Sequence, residues 1–209
     1  MSILWVFYDS EMRYPVVFLL HNGPDPTFTY NGNQVTKIED SENNLTYNGA
    51  FNFNDSTNIS DDYSYDKNGN LTKDLNKNIS SIQYNSLNLP SKINYSDGKM
   101  MDYVYSGTGE KKSVTYNVLM AGGNYTYCGN FIYYNGNLSQ ILFDGGYVGI
   151  SGSTPTYHYY LKDHLGSNRV VVNASGTVKQ VNHYYPFGGL FGESTGNSSV
   201  SYRYNGKEW

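Results

Sequence analysis

Nine tyrosines between Tyr30 and Tyr204 open variants of one short phrase, and a phrase that recurs this often restricts the chain to a repeat architecture. The clearest copies are Tyr30-Asn31-Gly32-Asn33, Tyr47-Asn48-Gly49, Tyr65-Asp66-Lys67-Asn68-Gly69-Asn70-Leu71, Tyr134-Asn135-Gly136-Asn137-Leu138 and Tyr204-Asn205-Gly206. Weaker copies begin at Tyr84, Tyr105, Tyr160 and Tyr185, so successive intervals run from 17 to 29 residues. A unit of that length cannot bury its own apolar face, and copies must stack on their neighbours.

The residue types then choose strands over helices. The 209 residues include 23 tyrosines and 22 glycines but only three alanines, Ala50, Ala121 and Ala174. Tyrosine favours a pleated surface, and alanine is the best helix former. No window of eleven residues carries a helical stripe, whereas Asn-Gly supplies the two positive φ angles that a type I′ hairpin needs. Turns are expected near Asn68, Asp97, Gly107, Gly122, Asn135, Gly145, Gly152, Ser175 and Gly188. The expected fold is all-β, an antiparallel, hairpin-linked sheet of about 14 to 18 short strands, with an aromatic-rich core. Asn52 to Asp62 and Phe191 to Ser199 read as exposed loops.

Charge and cysteine content narrow the function classes. A formal charge of −4, with no Lys/Arg run longer than Lys111-Lys112, offers no basic stripe for a phosphate backbone. Cys128, the one cysteine, excludes an internal disulfide and reads as a small buried hydrophobe. The ten Asn-x-Ser/Thr triplets are what so Asn-rich a chain produces by chance. Residues 1–27 differ from the rest: two apolar clusters, Ile3 to Tyr8 and Val16 to Leu20, are split by Asp9 and Glu11. That pattern is neither a secretory signal nor a membrane span, and it reads as an edge strand pair or a foreign leader.

Tyr65-Asp66-Lys67-Asn68-Gly69-Asn70-Leu71-Thr72 resembles the YD repeat of RHS proteins. From Tyr157 the likeness sharpens: Tyr160-Leu161-Lys162-Asp163-His164-Leu165-Gly166-Ser167-Asn168-Arg169, then Tyr185-Pro186-Phe187-Gly188, is similar to the RHS repeat-associated core signature. Tyr202 to Glu208, with Gly206, is similar to the next element of that family. The resemblance divides the chain into an atypical leader at 1–27, a YD-repeat sheet at 28–156, and the start of the core region at 157–209, continuous with the same sheet. It implies a strip of a hollow β-shell that encloses or delivers a C-terminal toxin or effector. It also implies an extracellular or cell-surface setting in full-length relatives, although no export signal is recognisable here. Family members commonly cut themselves downstream of the Asn205-Gly206-Lys207-Glu208 segment, and neither that motif nor the effector is among these residues.

Asp163, His164 and Arg169 could form a base and its partner, but adjacent strand residues face opposite ways, so Asp163 and His164 could meet only in a turn. The plainer reading makes His164 and Arg169 buried polar contacts that fix the hairpin. Gly149-Ile150-Ser151-Gly152-Ser153 lacks the last glycine of a nucleophile elbow. His158, His164 and His183 have no cysteine pair or carboxylate beside them for a metal. The loop around Gly69 lacks a glutamate at its twelfth position, Leu75, for calcium. Asp61-Asp62 reads as solvated loop charge. No catalytic residue, cofactor or metal is assigned, and the signature residues are expected to be structural. The expectation is therefore a non-enzymatic shell segment whose partner is the effector, without nucleic acid or a membrane span. The alternative is a carbohydrate or cell-surface binding module using exposed tyrosines, with glycans as partners.

Overall fold

The computed structural model describes residues 7–8, 15–16, 27–40, 55, 61–118, 122–184, 188–190, 194–195 and 202–208. Tyr47, Tyr185, Pro186, Phe187, nearly all of the leader and most of both expected loops therefore lie outside the described residues. The described chain is all-β: seventeen strands and one short 3-10 turn at Tyr204–Gly206. It forms two compact units, one of Met1–Thr46 with Asn52–Tyr125, the other of Tyr47–Phe51 with Thr126–Trp209.

In the first unit β1 (Phe7–Tyr8) pairs with β2 (Pro15–Val16), and β3 (Thr27–Asn31) with β4 (Gln34–Glu39). Then come β5 (Tyr63–Tyr65), β6 (Leu71–Asp74), β7 (Ile79–Tyr84), β8 (Pro90–Tyr95), β9 (Met100–Tyr105) and β10 (Lys111–Asn117), each hydrogen-bonded to the next. The division between units falls inside β11 (Gly123–Cys128). The second unit repeats the pattern with β12 (Phe131–Tyr134), β13 (Asn137–Phe143), β14 (Gly146–Ser151), β15 (Thr154–Lys162), β16 (Asn168–Asn173) and β17 (Val178–Val181). Every pairing with a resolved register is antiparallel between consecutive strands, as expected of a hairpin-linked sheet.

The turns explain the repeated phrase. Asp66–Asn70, Asn85–Leu89, Ser106–Glu110, Asp163–Ser167 and Asn173–Thr177 share one design. The first residue's N–H donates to the fifth residue's carbonyl, at 2.8 to 3.0 Å, and the fourth residue's N–H donates back to the first carbonyl. The first side chain then accepts the fifth N–H, at 2.9 Å on Asp66, 3.0 Å on Asn85, 3.1 Å on Ser106, 3.0 Å on Asp163 and 2.8 Å on Asn173. The fourth residue has positive φ: 85° at Gly69, 57° at Asn88, 85° at Gly109, 82° at Gly166 and 79° at Gly176. This is a three-residue loop ending in a left-handed bulge residue, a position that glycine and asparagine tolerate best. An acidic or amide residue followed three places later by glycine is thus a local hydrogen-bonding requirement.

Among the described residues, Asn135 and Gly136, at φ 49° and 80°, join β12 to β13 in the expected type I′ form, and Asn205 and Gly206, at 50° and 67°, take the same left-handed pair of angles. Between β3 and β4 the loop is Gly32-Asn33, because Asn31 pairs with Gln34 and only Gly32 is left-handed. The strands' register, set by side chains on both, moves that turn one residue along.

The first unit's core joins buried Ile38 of the separate β3–β4 sheet to buried Tyr63, Leu71, Ile79, Ile82 and Ile93 at and along the larger sheet. Phe28, Val35, Tyr65, Tyr84, Tyr95, Met101 and Tyr103 pack against them. The tyrosines lie across the sheet and tie its hairpins together. Tyr65 Oη donates to the Val35 carbonyl at 2.9 Å, Tyr84 Oη to Leu71 at 2.7 Å and Tyr105 Oη to Pro90 at 3.0 Å. Leu71 and Pro90 are the first residues after the preceding five-residue turns, so the tyrosine that opens one turn satisfies the backbone leaving the turn before it. Each ring covers apolar neighbours while its hydroxyl finds a partner, the two demands on a buried tyrosine. Burial accordingly pushes the Tyr65 phenol up to about 12. The opposite face is polar and carries the Lys92–Asp102 ion pair, at 3.2 Å.

Two further expectations fail. Asp62 is fully buried, its Oδ2 accepting the Ile38 N–H at 3.2 Å, because this bend sits where β4 meets the sheet. Cys128 is exposed, at the end of β11, where the chain turns through Gly129.

Candidate functional site

Of the signature residues, Asp163, His164, Leu165, Gly166 and Arg169 lie on or beside the Asp163–Ser167 turn between β15 and β16 in the second unit. Asp163 is the turn's first residue, and its carboxylate has three donors: the Leu165 and Ser167 N–H groups on Oδ1, each at 3.0 Å, and Arg169 Nε on Oδ2, at 3.0 Å. Desolvation works to raise its pKa, but the Ser167 and Leu165 N–H bonds and the Arg169 guanidinium outweigh it and hold the carboxyl below its usual value. Arg169 also donates to the Asn182 carbonyl at 3.5 Å and lies over the Tyr184 ring at 5.4 Å. His164 and Leu165 occupy the crest of the turn and are exposed. His164 is thus not one of the buried contacts, and its neighbour's carboxylate is committed to the turn and to Arg169.

Beneath the turn runs a directed amide chain. Asn168 Nδ2 donates to the Tyr202 carbonyl, Asn182 Nδ2 to the Asn168 carbonyl, both at 2.8 Å, and Gln180 Nε2 to Asn182 Oδ1 at 2.7 Å. Asn168, Gln180 and Asn182 are almost completely buried. The direction is forced, because a carbonyl at each step requires an N–H from the next side chain. Tyr184 Oη donates to the Asn168 carbonyl at 2.8 Å. Asn168 is again the first residue after a five-residue turn, so Tyr184 occupies here the place that Tyr84 and Tyr105 take in the first unit.

The segment 202–208 docks on this cluster. The Asn168 N–H donates to the Arg203 carbonyl at 3.0 Å, and the Asn205 N–H donates to Ser167 Oγ at 3.1 Å. Tyr204 meets Tyr184 edge-on at 5.6 Å, and Tyr127 Oη donates to Glu208, 2.8 and 2.9 Å from its two oxygens. Gly188, at φ 98°, sits against the Tyr204 ring, with 2.7 Å between the place a Cβ would take and Tyr204 Cγ. Gly206, at φ 67°, closes the turn that starts at Arg203.

The other candidate residues lie apart from this cluster. Tyr160 packs on the buried pair Tyr147 and Val171, and burial pushes its phenol upward. His158 stacks on Tyr147 with ring centroids 4.5 Å apart, while His183 and His164 are exposed on other segments. Among the described residues no three His, Cys, Asp or Glu side chains gather as a metal would need. Asp66 Oδ1 and Oδ2 are taken by Asn68, Asn70 and the Asn70 amide. Tyr30 is exposed and Tyr134 half-buried. Sequence reasoning missed Ser167, Asn168, Gln180, Asn182, Tyr184 and Arg203. The only signal was their place beside the turn and Tyr185, since polar residues on a half-exposed strand give no sign of burial. What the cluster does chemically is hold a hairpin and a terminal segment together through the Asp163 carboxylate, the Arg169 guanidinium and the amide N–H groups, while the buried Asn168 Oδ1 and Gln180 Oε1 accept no hydrogen bond.

No family profile matches the chain, and no curated protein does. Solved structures do. A Tc holotoxin pore of Photorhabdus luminescens with a substituted TccC3 aligns at TM-score 0.52 and 16% identity, covering 69% of this chain and 8% of that chain. The crystal structure of TcdB2-TccC3-Cdc42 aligns at TM-score 0.49 and 15% identity, over 63% of this chain and 8% of that one. TcdB2-TccC3 without its hypervariable C-terminal region aligns at 0.47 and 15%, over the same shares. The holotoxin likeness shows a shared fold. This chain spans about a twelfth of the length of the chains it matches.

Proposed function

We propose that this chain is a non-enzymatic stretch of wall in an RHS-type β-shell, whose work is to enclose or deliver an effector outside the producing cell. The observation that carries this reading is the tyrosine relay. At Tyr84, Tyr105 and Tyr184 a hairpin is fastened to the one before it by a hydroxyl on the carbonyl leaving the previous turn, a scheme that can extend a sheet one hairpin at a time. The signature cluster fits the same role, because the Asp163 carboxylate and Arg169 guanidinium are consumed in fixing the turn, and Ser167 and Asn168 in holding 202–208 onto it. The fold shared with the Tc holotoxin pore supports it, as does the residue pattern from Tyr157 to Glu208. Among the described residues no helix is long and apolar enough to cross a membrane.

The test is a graft. With this chain in place of the matching stretch of that structural neighbour, the expected result is a folded hybrid whose enclosed segment resists added protease. Digestion of that segment in a folded hybrid, or toxicity or self-cleavage produced by this chain alone, would refute the proposal.

A further inference from the structure

Four Asn-Gly pairs fall among the described residues, at Asn31, Asn68, Asn135 and Asn205, and their surroundings differ in ways that bear on one reaction. A glycine nitrogen can attack the carboxamide carbon of the asparagine before it, because glycine has no side chain to block the approach. Attack needs a nitrogen not held in a hydrogen bond, a carboxamide free to swing, and a backbone that brings the two together.

Three of the pairs fail these conditions. At Asn68 the Gly69 N–H donates to the Asp66 carbonyl at 3.1 Å, and the Asn68 amide donates to Asn88 Oδ1 at 2.9 Å. At Asn205 the Gly206 N–H donates to the Arg203 carbonyl at 3.3 Å, and the carboxamide oxygen accepts from Ser167 Oγ at 3.3 Å. Asn205 also has φ 50° and ψ 28°, a left-handed backbone that turns the next nitrogen away from Cβ. Asn135, at φ 49°, shares that region. Asn31 meets all three conditions. It ends β3 with extended backbone, its side chain is exposed, and neither its carboxamide nor the Gly32 N–H makes a hydrogen bond to a described residue. Space is open there too, since a Cβ on Gly32 would meet nothing within 4 Å.

We infer that Asn31 is a site of spontaneous deamidation through a succinimide. The Gly32 nitrogen gives its proton to base and bonds to Asn31 Cγ, and the Cγ–Nδ2 bond breaks, Nδ2 taking up a proton and leaving as ammonia. Water then opens the ring, so one water is consumed for each ammonia released. Opening at Cγ leaves aspartate in the original chain. Opening at the backbone carbonyl leaves isoaspartate, with the chain running through Cβ and one atom longer. That atom enters where Asn31 pairs with Gln34, and it loosens β3 from β4. β4 itself stays anchored, because Tyr65 Oη donates to the Val35 carbonyl and Asp62 Oδ2 accepts the Ile38 N–H. The modification is independent of whether the sheet encloses anything.

The experiment ages the folded full chain in mildly alkaline and mildly acidic buffer and maps its peptides by mass spectrometry, with isoaspartyl methyltransferase labelling to mark isoaspartate. Position 31 is expected to convert about tenfold or more faster than 68 and 205, where two hydrogen bonds must break first. It should also outpace 135, and its rate should rise with pH. In urea, where the folded contacts are gone, the four rates should come together. Asn31→Gln, at an exposed position, should fold normally and lose the conversion there. Amide hydrogen exchange of residues 27–31 should quicken once isoaspartate has formed, and not in Asn31→Asp, which adds the charge without the extra atom. Conversion at 68, 135 or 205 as fast as at 31, the same spread of rates in urea as in the folded chain, or unchanged exchange of β3 after isoaspartate has formed would overturn the assignment.

Discussion

Replacing Tyr84 by phenylalanine tests the relay most directly. The substitution keeps the ring that packs on the first unit's core and removes only the hydroxyl, 2.7 Å from the Leu71 carbonyl. Leu71 is fully buried, so water does not readily replace the lost donor. A net hydrogen bond contributes about 1 kcal/mol, rising toward about 2 kcal/mol when a buried acceptor is left without its partner. Tyr65→Phe and Tyr105→Phe remove the same bond from the Val35 and Pro90 carbonyls, and costs at sites without shared partners should sum. The triple variant is therefore expected to lose about 3 to 5 kcal/mol, enough to unfold a marginal domain. Tyr84→Ala also discards the ring, and should cost about 3 kcal/mol alone. Tyr30→Phe is the control, since Tyr30 is 58% exposed and should change nothing. Urea unfolding followed by far-UV circular dichroism measures each value. The reasoning is refuted if the three phenylalanine variants are individually as stable as the parent, or if Tyr30→Phe costs as much as Tyr84→Phe.

At the signature turn, Asp163→Asn should cost only about 0.5 kcal/mol, because the amide oxygen can still take the two N–H groups, as Asn173 does, and the partly exposed Arg169 pair contributes little. Asp163→Ala removes the cap as well and should cost about 2 kcal/mol by thermal melting. Since the folded pKa of Asp163 is lowered, its contribution is present above the unfolded value of about 3.9 and is lost as pH falls through the folded one, a slope that Asp163→Asn should remove. Asp74 behaves oppositely: its burial, only partly offset by the Lys77 charge, raises its pKa to about 6. Its stabilisation is greatest below about pH 4 and falls as pH rises through about 6, so Asp74→Asn should flatten the pH profile across that range. Gly146→Ala should fail to fold or melt far lower, because a Cβ there runs into the His158 carbonyl oxygen across the β14–β15 ladder and lies 2.6 Å from Phe143 Cζ.

The hairpins were legible because their determinants are short-range. In Asp66–Asn70 and Asn173–Thr177, the residue that caps and the residue that takes positive φ lie within five positions, and sequence shows both. The loop at Gly32-Asn33 was misplaced by one residue because the pairing of β3 with β4, not the Asn-Gly pair, fixes it. Cys128 and Asp62 were misjudged because residue type sets an average burial, and their own burial depends on what packs over them.

The amino-acid sequence by itself determined an all-β, hairpin-built chain and the positions of most of its turns, since backbone angles and capping side chains are local properties. Only the tertiary structure decided which carbonyl each tyrosine hydroxyl meets, that Tyr184 continues the relay, and that Asn168, Gln180 and Asn182 form a buried chain. Apart from the Gln180–Asn182 link, those contacts join residues thirteen to thirty-four positions apart. They exist only once neighbouring hairpins settle in one register, and a one-residue slip would turn every ring to the other face.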